Sequence, residues 1–73
     1  SRADLPPDIR IGSNSIVYVN NVSVGVVRTI KGGPLRFYPW TAQYYISAED
    51  RVHQAIVDHI TMLNITARLK KND

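Results

Sequence analysis

His53 and His59 are the side chains best suited to acid–base or metal chemistry at neutral pH in this 73-residue chain, and their spacing argues against both roles. On a helix, a separation of six residues turns roughly 600°, which leaves the two rings about 120° apart. A zinc-binding pair at i, i+4 shares one face instead. Asp50 and His53 lie one helical turn apart and could meet, but two ligands fall short of the three or four that a zinc site takes. His53 therefore reads as solvated and His59 as partly buried. The chain has no cysteine, which removes disulfides, thiolate chemistry and every Cys-based zinc or iron–sulfur site. No Ser–His–Asp signature is present, and paired carboxylates occur only where a late helix begins. Lys31-Gly32-Gly33 is too short for a phosphate loop and lacks its Lys-Ser/Thr ending. No enzymatic activity, metal or cofactor is expected.

What remains is binding, and here charge and aromatic content carry the signal. Nine Lys and Arg against six Asp and Glu give a net charge of +3. From Ile9 to Ala48 there is no acidic residue, while Arg10, Arg28, Lys31 and Arg36 all fall there. Ser47 to Asn64 holds Glu49, Asp50 and Asp58 against Arg51. A region of one sign attracts partners of the other. Of the aromatics Tyr18, Phe37, Tyr38, Trp40, Tyr44 and Tyr45, all but Tyr18 cluster in one short stretch. Such a cluster beside Arg36 suits base stacking or an interface anchor. Phe37 and Trp40 are expected to close the core, and Tyr38, sharing a strand face with Arg36, to be the surface candidate.

The elements that must position these residues follow from periodicity and turn chemistry. Ser15 to Val19 and Val22 to Ile30 are β-branched runs joined by Asn20-Asn21, a pair that tolerates the positive φ of a tight hairpin. In the return strand Val22, Val24, Val26, Arg28 and Ile30 alternate with Ser23, Gly25, Val27 and Thr29. Gly25 in mid-strand marks a bulge or a close backbone approach. Lys31-Gly32-Gly33-Pro34 turns the chain into a third strand, Leu35 to Tyr38, which Pro39 ends or confines to a sheet edge. Gln43 to Ile46 suggests a short fourth strand. Ser47 is placed to cap a helix from Ala48 to Leu63, whose Val52, Ala55, Ile56, Ile60 and Leu63 form an apolar stripe, with Asn64 as its C-terminal cap. Ile65 to Leu69 extends the helix or forms a last strand.

The expected fold is α+β, a three- to four-stranded antiparallel sheet with one C-terminal amphipathic helix packed on it. Residues 1–12 form an extended Pro-containing lead-in, 13–69 a single domain and 70–73 a frayed tail. Scaling laws for this size give a radius of gyration of about 11 Å and roughly 4,500 Å² of surface. No membrane-spanning run is present, and the lack of cysteine favours an intracellular location.

The lead-in from Ala3 to Ile11 is the expected partner-binding arm. It carries Leu5, Ile9 and Ile11 around Pro6-Pro7, which cannot join a ladder in mid-sheet, and Arg10 adds a charged donor at the rim. In the alternative, Ile9 and Ile11 form a further strand and serve the core.

The segment Leu5-Pro6-Pro7-Asp8-Ile9-Arg10-Ile11, together with the length, the sheet and the late helix, resembles the small RNA polymerase-binding transcription regulators of lytic Xanthomonas phages. That resemblance implies a phage protein that acts in the host bacterial cytoplasm. It would bind host RNA polymerase near the amino-terminal part of the β′ subunit, inhibit transcription and allow antitermination. Asp4-Leu5-Pro6-Pro7 followed by a hairpin also resembles the start of the arm-binding domain of lambda-type phage integrases, a sheet-plus-helix module that binds DNA. Here only Arg2 precedes the Leu-Pro-Pro, where that family carries a basic cluster.

The expected function is thus transcription regulation by a monomer that contacts RNA polymerase through Leu5, Pro6, Pro7, Ile9, Arg10, Ile11, Arg28, Arg36 and Tyr38. Nucleic acid, bound as duplex DNA on the sheet, is the alternative partner. Four cations there would give a salt slope of only about −3 to −4, thin for a dedicated duplex binder.

Overall fold

Asn20 and Asn21 both adopt positive φ, 49° and 69°, and so close a two-residue hairpin between strands β2 (Ile16–Val19) and β3 (Val22–Arg28). The computed structural model describes residues 5–71. Within it a second tight turn at Lys31 (φ 52°) and Gly32 (φ 73°), closed by the Gly33 N–H on the Ile30 carbonyl at 2.9 Å, leads to β4 (Arg36–Pro39). Ahead of these, β1 (Ile9–Ile11) pairs with β2. The four strands lie antiparallel in the order β1-β2-β3-β4. Pro39 ends β4 on the sheet edge, where its missing N–H breaks no ladder bond. A short helix α1 (Gln43–Ser47) turns the chain, and the long helix α2 (Asp50–Lys71) crosses one face of the sheet.

That face carries the core: Val17, Val19 and Val27 from the sheet meet Ile56 and Ile60 from α2, with Ile9, Ile11, Val24, Leu35, Phe37, Tyr44 and Val52 packed around them. The pairing slips between Val17/Gly25 and Tyr18/Ser23, which makes Val24 the extra residue of a β-bulge. Gly25 also satisfies the close-approach reading. A Cβ there would strike the Tyr38 carbonyl oxygen and come within 2.8 Å of the Pro39 Cα.

The small α+β fold is as expected, but several elements differ. Ile9–Ile11 belongs to the sheet with Ile9 and Ile11 packed against the core, so these two residues are structural and any arm ends before them, while Arg10 between them faces the other way. The expected arm's first residues lie outside the described ones. From Leu5 onward the chain is tethered: Arg51 donates to the Leu5 carbonyl at 3.0 Å, and Asp8 and Asn20 exchange hydrogen bonds that continue the β1–β2 ladder one step.

Gln43–Ser47 is helical rather than a strand. Its β-favouring residues are overridden because a helix lets Tyr44 pack edge-on against Phe37 at 5.3 Å while Ile46 stays exposed. Ser47 does not cap α2; its hydroxyl bonds back to the Gln43 carbonyl, and the Glu49 carbonyl receives the first N–H groups of α2, from Val52 and His53.

The helix also runs past Asn64, since Ala67, Arg68, Leu69 and Lys70 are good helix formers and the basic residues suit its C-terminal dipole. Lys70 and Lys71 are therefore helical, and only Asn72 and Asp73 of the expected frayed tail lie outside the described residues. Leu63 drops out of the buried stripe.

The 22 residues of α2 span about 33 Å, longer than the seven-residue β3 at about 23 Å, so its last turns overhang the sheet. The overhang explains a radius of gyration of 13.1 Å and a surface of 5674 Å², both above the scaling expectation. Among the described residues no helix is long and apolar enough to cross a membrane.

Candidate functional site

Among the described residues no element covers the face of the sheet turned away from α2. The strand pairing orders it into three rows. Arg10, Tyr18 and Ser23 are neighbours across β1, β2 and β3, and Trp40, just past the end of β4, completes their row. Ile16, Val26 and Tyr38 form the next row across β2, β3 and β4. Arg28 and Arg36 face each other in the last. No strand residue is acidic; Glu49, Asp50 and Asp58 lie at or on α2, and Asp8 stands exposed just before β1. The face is therefore basic at two ends and aromatic between.

Its side chains are held in particular ways. The Arg10 guanidinium carbon lies 4.2 Å over the Tyr18 ring centroid, a cation–π contact. Trp40 donates its indole N–H to the Ser23 hydroxyl at 2.7 Å, and its backbone N–H bonds the Val24 carbonyl at 3.1 Å. The ring is thus fixed at both ends of the side chain yet 53% exposed. Among the described residues neither Arg28 nor Arg36 pairs with a carboxylate. Val26, Arg28, Thr29, Ile30, Lys31 and Tyr38 line an open concavity at this end.

Of the residues singled out from the sequence, Arg10, Arg28, Arg36 and Tyr38 come together here. Ile9 and Ile11 point to the opposite, core-facing side. Leu5, Pro6 and Pro7 lie apart, around a cleft shared with Asp8, Asn20, Asn21 and Arg51. Tyr18 and Trp40 were missed. Trp40 is exposed rather than part of the core, and strict alternation through Pro39 places it with Tyr38 and Arg36. Tyr18 carries the same signal, being a residue out of phase with buried Val17 and Val19.

The histidines do no visible chemistry. His53 is half-buried rather than solvated, with Nδ1 2.9 Å from the Tyr44 hydroxyl. Burial, and secondarily the neighbouring Tyr45, raises the Tyr44 phenol above its ordinary value. A raised pKa keeps the phenol neutral, the reverse of an activated nucleophile. His59 is half-buried as expected. Among the described residues no three His, Cys, Asp or Glu side chains are grouped to hold a metal ion. No family model, curated protein or solved structure matches this chain.

Proposed function

We propose that this protein is a non-catalytic nucleic-acid-binding module whose ligand lies across the open face of the sheet. One observation carries the reading: three arginines and three exposed or half-exposed aromatic rings share a face with no acidic strand residue, while Glu49, Asp50 and Asp58 lie at or on α2 and Asp8 stands just before β1. Phosphates supply the complementary charge and bases the complementary surface. Nucleic acid is favoured over a polymerase contact because the open face adds Tyr18 and Trp40, while the competing arm loses Ile9 and Ile11 to the core. Labelled oligonucleotides titrated with the protein at low salt should show a rise in fluorescence anisotropy. The rise should be lost in an Arg28→Glu/Arg36→Glu variant of unchanged circular dichroism. No binding by about 100 μM, the top of the usual non-specific range, rejects the reading.

A second reading takes RNA polymerase as the partner, contacted by a monomer in the bacterial cytoplasm near the amino-terminal part of β′ so as to inhibit transcription. The observation in its favour is Leu5, 61% exposed beside Pro6 on a segment outside the sheet. A pre-extended apolar segment loses little entropy on docking. Immobilised protein should retain polymerase from a bacterial lysate at moderate salt and Leu5→Asp should release it; equal retention by both removes Leu5 from the contact, and no retention removes the partner.

A further inference from the structure

Resting on the nucleic-acid reading, we infer that the open face takes single-stranded rather than duplex nucleic acid, with bases stacked on Trp40 and Tyr38. Residues two apart on an extended strand share a face about 6.6–7 Å apart. Tyr38 and Trp40 are so spaced, one inside β4 and one just beyond it. Bases along one strand of a duplex rise only about 3.4 Å each and keep their faces against one another. An unstacked single strand can offer one base to each ring; a duplex offers phosphates and groove edges.

The state of Trp40 points the same way. A tryptophan serving only the fold would bury its ring. This one is 53% exposed, and its single polar atom is already satisfied by Ser23 at 2.7 Å. What the indole has left to offer a ligand is its π-face, on a ring that need not be ordered on binding. In the same row the Arg10 guanidinium lies over the Tyr18 ring, and a guanidinium plane is a surface on which bases also stack.

The number of charges agrees. Arg10, Arg28 and Arg36, with Lys31 at the rim of the concavity, are three or four cations. Duplex binders that rest on phosphate contacts use about six to ten. With so few, stacking has to carry much of the affinity, and stacking requires accessible base faces.

Trp40 is the sole tryptophan, so its fluorescence reports on this face alone. The full chain is titrated with a 12-nucleotide oligothymidine and with a mixed-sequence duplex of the same length, between 50 and 200 mM salt. The expected result is quenching of Trp40 emission by the single strand and binding at least tenfold tighter than to the duplex. The slope of log K on log salt should be about −2 to −3. Tyr38→Ala should weaken single-strand binding roughly tenfold, within the range for loss of one stacked base, and Tyr38→Phe should retain it. Tyr38→Phe keeps the ring and the fold, so its agreement with wild type separates stacking from loss of structure. Equal or tighter duplex binding, or single-strand binding indifferent to Tyr38→Ala, overturns this inference and leaves the nucleic-acid reading standing. Absence of binding to either oligonucleotide overturns both.

Discussion

Asn64 pairs its side-chain amide with both backbone polar groups of Leu35: the Leu35 N–H donates to Oδ1 at 2.8 Å, and Nδ2 donates to the Leu35 carbonyl at 3.1 Å. The amide thus imitates the peptide group of a neighbouring strand. It satisfies the sheet edge where the chain enters β4 and ties that edge to a helix 29 residues later. An unpaired edge is a template for association, and here a helix covers part of it.

Asn64→Ala should therefore cost about 1–3 kcal/mol, because both Leu35 groups are left unpaired in a part-buried position. Urea unfolding measures it. A loss under about 0.5 kcal/mol, the size of an ordinary surface change, would mean that water replaces the amide without penalty.

The overhang of α2 separates its two halves energetically. Ile56 is fully buried, so Ile56→Ala should cost about 2–5 kcal/mol and threaten the fold of so small a domain. Leu69, 64% exposed beyond the sheet, should change stability by no more than about 0.5 kcal/mol on replacement by Ala. Thermal melts of the two variants that moved together would show the helix end to be packed.

Gly25→Ala tests the crossing of β3 and β4. The added methyl meets backbone of Tyr38 and Pro39, which cannot rotate away as a side chain can. Overpacking of this kind costs about 1–3 kcal/mol. Amide chemical shifts should move most at Phe37 to Pro39; shifts confined to the Asn20-Asn21 turn would place the strain elsewhere.

The Tyr44 phenol gives a signed pH effect. Its pKa is raised by burial and then by Tyr45, so the folded state holds this proton more tightly than the unfolded state, where the value is about 10.0. The contribution is complete below pH 10.0 and is lost as pH rises through the folded value. Phenolate absorbance should show one late-titrating tyrosine that disappears in Tyr44→Phe, and above pH 10.0 the wild type should lose stability more steeply than that variant. Parallel alkaline unfolding curves would contradict the assignment.

Legibility from sequence divided along physical lines. Where one local requirement decided the outcome, it could be read directly: positive φ at Asn20-Asn21, the turn at Lys31-Gly32-Gly33-Pro34, the missing donor of Pro39, the alternation from Leu35 to Tyr38. Where a tertiary partner decided, it could not. Gln43–Ser47 has strand propensity but helical structure because Tyr44 finds Phe37 and His53. Asn64 resembles a helix cap but spends its amide on Leu35. The site was half legible for the same reason. Charge segregation marks Arg10, Arg28 and Arg36, whereas Trp40 emerges only when the β4 alternation is carried through Pro39, against the expectation that so large a ring closes the core.

Arg28 and Arg36 stand directly opposite each other on the open face, with no carboxylate partner among the described residues. Like charges in register across antiparallel strands destabilise the pairing, while opposite charges contribute about 0.2–1 kcal/mol. A sequence under pressure for stability alone would place an acid at one of these positions. Arg36→Glu should then raise stability by a few tenths of a kcal/mol, since a cross-strand repulsion becomes an exposed ion pair. The same change should weaken oligonucleotide binding, as it removes one phosphate contact and adds a repulsive charge. Stability and binding moving in opposite directions is the signature of a pair kept for its ligand. Unfolding and anisotropy measured on this one variant decide the matter, and a more stable protein with unchanged binding would detach these arginines from function.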